Sequence, residues 1–433
     1  MLLVVQSFDR MKILLTGANG FIGRYLFAGL VAAGHDVVPA VRRPSETDQL
    51  LPRPQSIHVD FNRDVTPEVW IARLDKIDAV INCAGILQAR PGQSIKAIHT
   101  TTPEAMFKAC EVAGIRRVIQ ISAISVGADT EYARTKRAAD DALMASCLDW
   151  TILRPSLVYA GGAYGGTALF RALAALPIFI PIIGDGEQRF QPIHVDDLTA
   201  IVVAALALPN LRRRVLEAVG PDQIPLQHIL VDLRRWLGLP KARLLKLPLP
   251  LIRAVARIGD LVGGPVNTTA LCQLEFGNCG TLGDVASATG VRPRRWHDAL
   301  RAAPAQPQDR WQARLYFLRP ALRWTIATTW IVSGLIGLME SPALVHKYSA
   351  IGITLSPSMV WSTCLLDVVI GLAVFARRQT AVMTWVQLGV VILYTAALTV
   401  AQPSLWLDPL GPLLKNVTFM MAVMVLSVLE NER

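Results

Sequence analysis

A doubly wound, parallel α/β sheet followed by a four-helix transmembrane bundle is the fold class that this 433-residue sequence predicts. Three observations carry it. Short β-branched runs alternate with helix-length stretches over the first 153 residues, a glycine triplet follows directly on the first run, and four apolar stretches of near-spanning length lie beyond residue 310. Composition agrees, because 52% hydrophobic and 18% charged residues exclude a disordered chain and argue against an entirely water-soluble one.

Strands are expected at 12–16, 36–41, 57–59, 79–82, 118–121 and 151–153, at the spacing of βαβ units. Residues 1–9 carry no basic start and no small-residue cleavage site, so they are not read as a signal peptide. From about 155 to 300 the chain is richer in Gly and Pro, with helices over 198–208 and 224–237; this reads as a small substrate-side region that completes a domain over 11–302. Within it, His194-Val195-Asp196-Asp197 is read as an aspartate cap on the helix that begins near Leu198. The stretch APAQPQ opens a linker over 303–313, since its residues neither propagate a helix nor bury apolar surface.

A membrane domain is expected over 314–433, with apolar segments at 322–339, 359–376, 381–401 and 411–429, each near the ~20 residues that span a hydrocarbon core. Arg310, Arg314, Arg319 and Arg323 precede the first segment, and Arg377 and Arg378 join the second to the third. The other connections hold only Lys347 and Lys415. That asymmetry places both termini in the cytoplasm of a multi-pass inner-membrane protein. It also accounts for part of the formal charge of +10 without nucleic acid, because the arginines do not interleave with aromatics as a base-stacking surface requires. Asp367 falls inside the second segment and needs a partner, for which Lys415 or Asn416 is available.

The glycine triplet lies in Thr16-Gly17-Ala18-Asn19-Gly20-Phe21-Ile22-Gly23, between a strand and an amphipathic helix. Glycine is needed there because the backbone turns sharply, approaches a diphosphate and packs helix on strand; the anion then rests on free N–H groups at the positive end of the helix dipole. Thr16, Gly17, Asn19, Gly20, Phe21, Ile22 and Gly23 are therefore candidate dinucleotide contacts. Where the second strand ends, an NAD enzyme usually carries a carboxylate, and this chain has Arg42 and Arg43. Two guanidiniums suit a 2′-phosphate, which favours NADP over NAD. Asp60 is a candidate for adenine, and Asn82, Ala84 and Gly85 supply small or polar residues where the backbone passes the cofactor.

The fifth strand runs into Ser122-Ala123-Ile124-Ser125, and Tyr132-Ala133-Arg134-Thr135-Lys136 follows. On a helix Tyr132 and Lys136 share a face. A phenol titrates near pH 10, so an adjacent ammonium that stabilises the phenolate brings it closer to neutrality, and the same lysine can bond the nicotinamide ribose. Ser122 or Ser125 supplies the hydroxyl that polarises the substrate oxygen. No metal site is indicated, because Cys83, Cys110, Cys147, Cys272, Cys279 and Cys364 form no C-x-x-C pair and no His cluster accompanies them.

TGANGFIG, VINCAG, the strand ending in ISA, YARTK and RPSLVYA together resemble the short-chain dehydrogenase/reductase superfamily, in its atypical and extended branches of epimerase/dehydratase type, over about residues 11–300. The tail resembles the DoxX-like four-helix membrane family by its hydropathy. The resemblance implies a Rossmann fold, NAD(P) as cofactor, Tyr132 as proton donor or acceptor and Lys136 as its electrostatic partner. Extended members usually have Ser or Thr where this chain has Ala123, and only ten residues separate Ser122 from Tyr132, a short spacing that resembles the atypical branch with the cofactor-holding subunits of respiratory complex I. The expected function is a membrane-anchored, NAD(P)H-dependent oxidoreductase whose catalytic domain faces the cytoplasm and acts on a lipophilic, membrane-associated substrate. A nucleotide-sugar epimerase or dehydratase and a non-catalytic NADPH-binding redox sensor are the alternatives.

Overall fold

A computed structural model of the chain describes residues 10–42, 56–89, 92–262, 266–349, 356–377, 381–409 and 411–430. It divides into two compact units, 1–313 and 314–433, and the boundary falls within the helix Pro307–Met339. The segment expected as linker is thus non-helical only over 303–306: proline is tolerated in the first turn of a helix, where its missing N–H has no partner to lose, and Pro307 starts one.

In the first unit the main sheet takes six strands in chain order, β1 (Lys12–Thr16), β2 (Asp36–Val41), β3 (Ile57–His58), β4 (Ala79–Asn82), β5 (Arg117–Ile121) and β6 (Asp149–Pro155). A seventh, Arg214–Ala218, was not expected and pairs with β6 at the sheet edge. The order across the sheet is Arg214–Ala218, β6, β5, β4, β1, β2, β3, with every pair parallel. Successive side chains point to opposite faces of a strand, and this sheet buries both. Ile13, Leu15, Ile81 and Ile119 pack on one face with Leu26 and Leu30 of α1 (Phe21–Ala32). Leu14, Val80, Val118 and Ile152 pack on the other with Trp70 of α2 (Pro67–Ile71), Met106 of α3 (Thr102–Val112) and Leu143 of α4 (Glu131–Met144). The strand direction reverses its winding between β1 and β4, so the ends of those two strands open a crevice of the kind in which such sheets bind ligands.

The expected aspartate cap takes a different form. The helix begins earlier, at Val195, and His194 caps it by accepting from the N–H of Asp196 at 3.3 Å. Asp197 is instead gripped by Arg294, through Nε at 3.0 Å and Nη2 at 2.9 Å. A carboxylate in a first turn complements the helix dipole, and here it also finds a bidentate cation.

The second unit holds helices Pro357–Phe375, Ala381–Ala401 and Pro412–Glu430, with the remainder of Pro307–Met339. All four are long and apolar enough to cross a membrane. Their inward residues, among them Ile326, Trp330, Ile370, Val391 and Leu426, form one core, and glycines bring the first two helices together, since a Cβ on Gly334 would lie 2.5 Å from the carbonyl of Cys364. Large apolar side chains such as Trp385, Leu393 and Val428 point outward, which suits hydrocarbon and not water.

Candidate active site

The glycine turn has little room for anything but backbone. Gly17 has φ +67°, and a Cβ there would stand 2.7 Å from the carbonyl oxygen of Cys83; on Gly23 it would stand 2.1 Å from the carbonyl of Gly17. α1 starts at Phe21 with Gly20 as N-cap, no side chain capping it and no acidic residue in its first turn. Phe21 and Ile22 are half-buried beside that turn, and exposed Asn19 accepts from Arg24 Nε through its carbonyl at 3.0 Å. A dipole end without an internal anion and a cradle that a side chain would fill fit the diphosphate of a dinucleotide.

Thr16 and Asn82 lie opposite one another on β1 and β4, and Asn82 opposite Gln120 on β5. Thr16 Oγ1 donates to Asn82 Oδ1 at 2.6 Å, and Asn82 Nδ2 donates to Gln120 Oε1 at 2.8 Å. Asn82 Oδ1 also accepts from the N–H of Ala84 at 3.3 Å. These side chains are spent on each other in the interior, so what Thr16, Asn82 and Ala84 offer a cofactor is a fixed backbone at the mouth of the crevice. Exposed Gly85 continues that mouth.

At the adenosine end, Arg42 is exposed and its guanidinium donates to the side-chain oxygen of Gln93; Arg43 lies outside the described residues. Asp60 is folded back on its own turn, accepting from the N–H of Asn62 at 3.0 Å and from its Nδ2 at 3.2 Å. Those hydrogen bonds, with Arg63 and Arg42 nearby, hold its carboxyl below the usual range.

α4 begins where Thr130 Oγ1 accepts from the N–H of Ala133 at 3.1 Å. Its inner face then carries Tyr132, Lys136 and Asp140 at successive turns. Lys136 is 4% exposed, and its ammonium donates to the carbonyls of Ile121, 3.1 Å, and Ala84, 3.4 Å, at the ends of β5 and β4. Burial lowers its pKa, against the opposing pull of Asp140 and Cys83. Burial likewise pushes the Tyr132 phenol up to about 12, with the Asp140 charge adding to the rise. Loss of water and the Asp140 charge thus act in the same direction on the phenol.

Ser122 does not present a free hydroxyl. Its Oγ donates to Asp140 Oδ2 at 2.8 Å, and the same oxygen receives Arg154 Nε at 3.1 Å and Nη2 at 3.0 Å. Ser122 thus ties β5 to α4. Ser125, buried on the next turn, has no hydrogen bond from its hydroxyl to a described residue. His99 was not anticipated either. Its Nε2 accepts from the N–H of Ile86 at 3.0 Å, so Nδ1 carries the proton and donates to Thr135 Oγ1 at 3.0 Å. The ring stands edge-on to Tyr132 with centroids 5.3 Å apart, and burial, then the Lys136 charge, lowers its pKa to about 2. The Lys136 ammonium and His99 Nε2 stand 3.2 and 3.5 Å from where a Cβ on Gly85 would be, so both border the mouth of the crevice.

Comparison with known proteins agrees with this division. The NAD(P)H-binding family model matches residues 17–172, and the DoxX-like family model matches 327–424. The mitochondrial NADH dehydrogenase [ubiquinone] 1 alpha subcomplex subunit 9 of Arabidopsis thaliana is 30% identical over 267 residues, 57% of this chain and 62% of that one. The chain thus spans less than two thirds of that relative's length. Ceramide reductase of Caulobacter vibrioides is 29% identical over 266 residues, 60% of this chain and 81% of the enzyme. The solved structure of MoeE5 in complex with UDP-glucose and NAD superposes with TM-score 0.52 at 22% identity, over 68% of this chain and 97% of that one, a likeness of fold.

Proposed function

This chain joins an NAD(P)H-binding domain of the short-chain dehydrogenase/reductase, epimerase type to a C-terminal DoxX-like membrane domain, and on that premise we propose that it is a membrane-anchored, NADPH-dependent reductase of a lipophilic carbonyl substrate. NADPH, when bound, supplies the hydride. Gly17, Gly20 and Gly23 would let the backbone approach its diphosphate at the N-terminus of α1, and Arg42 with Arg43 would meet the 2′-phosphate. Tyr132, protonated throughout the neutral range, gives its phenolic proton to the substrate oxygen as that oxygen becomes an alkoxide. Lys136, fixed between two strand-end carbonyls, stabilises the phenolate left behind. Ser125 donates to the same substrate oxygen, since Ser122 is occupied by Asp140. Asp60 supports the adenosine end from its turn.

The observation that carries the reading is the single helix face bearing Tyr132 and buried Lys136 against the ends of β4 and β5. A lipid substrate is supported by the membrane helices of the same chain and by a relative named ceramide reductase. The arginines before the first membrane helix support an inner-membrane protein with its catalytic domain in the cytoplasm. The test is NADPH oxidation by the full-length protein with lipid extracts. Tyr132→Phe should lower turnover about 10²–10⁴-fold while leaving NADPH affinity within a few-fold. Retained turnover overturns the assignment of Tyr132, and catalysis without net NADPH consumption would make the protein an epimerase.

A further inference from the structure

We propose that the helix Leu249–Val262, with the strand Arg243–Leu247 that leads into it, docks on an anionic bilayer surface and brings the Tyr132 site to the lipid phase. Its second half rests on the functional reading above; the docking itself does not. Along this helix Ile252 and Ala256 pack with Leu271 in a small core, and a Cβ on Gly259 would meet the carbonyl of Val266 at 1.7 Å. That inward stripe already satisfies the helix. Beside it runs a second apolar stripe at the same i, i+4, i+7 spacing, Leu251, Val255 and Ile258, which are 52%, 43% and 61% exposed. Leu244 and Leu245 of the strand are each 43% exposed. An apolar face of this kind on a water-borne domain marks a contact surface.

Charge identifies what it meets. Arg243, Lys246, Arg253 and Arg257 are all exposed on this strand and helix, and exposed Lys241 precedes them. Against them stand Glu275, paired with Arg253 at 3.3 Å, and Asp260, which accepts from the N–H of Thr268 at 3.1 Å. An exposed apolar stripe on a helix that, with the strand before it, carries surplus lysine and arginine is the composition of segments that lie at the headgroup level of anionic lipid. A bilayer is moreover the one surface this chain always has at hand, because its own C-terminal helices are built to cross one, which makes docking an intramolecular event.

The helix Thr268–Phe276 packs against the inward stripe, behind the exposed one, and reaches the start of α4, where Gln273 Nε2 donates to Thr130 Oγ1 at 2.9 Å. Phe276 closes on the turn that carries Ser125, its ring 2.8 Å from where a Cβ on Gly127 would be. A lipid leaving the bilayer at this face thus has one helix to pass before the phenol.

The full-length protein in nanodiscs tests this, with a benzoylphenylalanine replacing Val255 or Ile258, and one replacing exposed Val112 on α3 as control. In discs of phosphatidylglycerol, irradiation should yield acyl-chain adducts at 255 and 258 about tenfold above those at 112, falling several-fold in phosphatidylcholine discs. Adducts no more frequent than at 112, or adducts to protein, overturn the docking. As a second readout, Leu251→Gln/Val255→Gln/Ile258→Gln should remove the hydrogen-exchange protection that anionic discs give residues 243–262; unchanged protection also overturns it. NADPH binding is measured on the same samples: intact binding without lipid adducts sinks the docking and spares the site, whereas adducts without NADPH binding sink the site and spare the docking.

Discussion

In the first unit a neutral chain of Thr16, Asn82 and Gln120 and a charged group of Lys136, Asp140 and Arg154 meet at the strand ends, whereas in the second the buried polar groups are mostly neutral and distributed along the bundle. Asp140 is shared by Ser122 and Arg154, and Lys136 sits between carbonyls. In the bundle, Trp330 Nε1 donates to Gln387 at 3.1 Å, Thr384 to Ser427 at 3.0 Å, and Asn416 to Thr395 at 2.8 Å. Asp367 meets the Tyr394 hydroxyl at 3.2 Å and neither Lys415 nor Asn416, the partners expected from sequence. Arg323, midway along the first of these helices, forms an ion pair with Glu430 at the end of the last. The lesson concerns the reference state. A water-borne unit buries a charge where fixed carbonyls or a counter-charge receive it, as they do for Arg117, Arg171 and Arg234 as well as for Lys136; in hydrocarbon every polar side chain needs a partner whether or not it has a task.

Ranked by expected effect, four perturbations break or sharpen this contrast. Gly23→Ala puts a Cβ against the carbonyl of Gly17 and should reduce NADPH affinity about 100-fold or more, read by titration of cofactor fluorescence with circular dichroism to confirm the fold. Asp140→Ala strands Arg154 and Ser122 and should cost the first unit about 2–3 kcal/mol in denaturant unfolding, below the ~3–5 of a fully buried pair because Arg154 keeps some water. His99 is neutral in the folded unit with its pKa near 2, below its unfolded value, so the stability tied to it is whole above about pH 6.5 and lost as pH falls toward 2. Unfolding free energy should fall by about 1.5 kcal/mol between about pH 6.5 and pH 5, and His99→Gln should flatten that slope. Gln387→Leu in the bundle should cost only about 0.6 kcal/mol by steric-trap unfolding, because the unfolded helix in lipid finds other partners for Trp330. A loss there as large as that of Asp140→Ala would erase the distinction between the units.

Legibility in the sequence follows the range of the interactions. Six strand positions and the four long apolar helices came from local periodicity, and the glycine turn and the Tyr132–Lys136 pair from spacings fixed by a single turn or helix. The strand Arg214–Ala218 escaped because RVLEA carries too little β-branching to stand out, and only pairing with β6 makes it a strand. His99 had no local signal: its partners Ile86 and Thr135 lie 13 and 36 residues away. Asp140 was within reach, one turn beyond Lys136, yet its effect on Ser122 spans 18 residues and depends on how α4 lies on β5. A sequence names the hydroxyls near a catalytic tyrosine; which of them is already engaged is a tertiary fact.

Because Tyr132, Lys136 and Asp140 ride on one rod that Ser122 pins to the sheet, no member of the trio can be repositioned without carrying the other two along. Tinkering with the pocket is thereby channelled into the loops around it. Under the proposed carbonyl reduction, variants with altered substrate preference should accumulate changes near Ser125 and Phe276, while Tyr132, Lys136 and Asp140 stay invariant or fail as a whole.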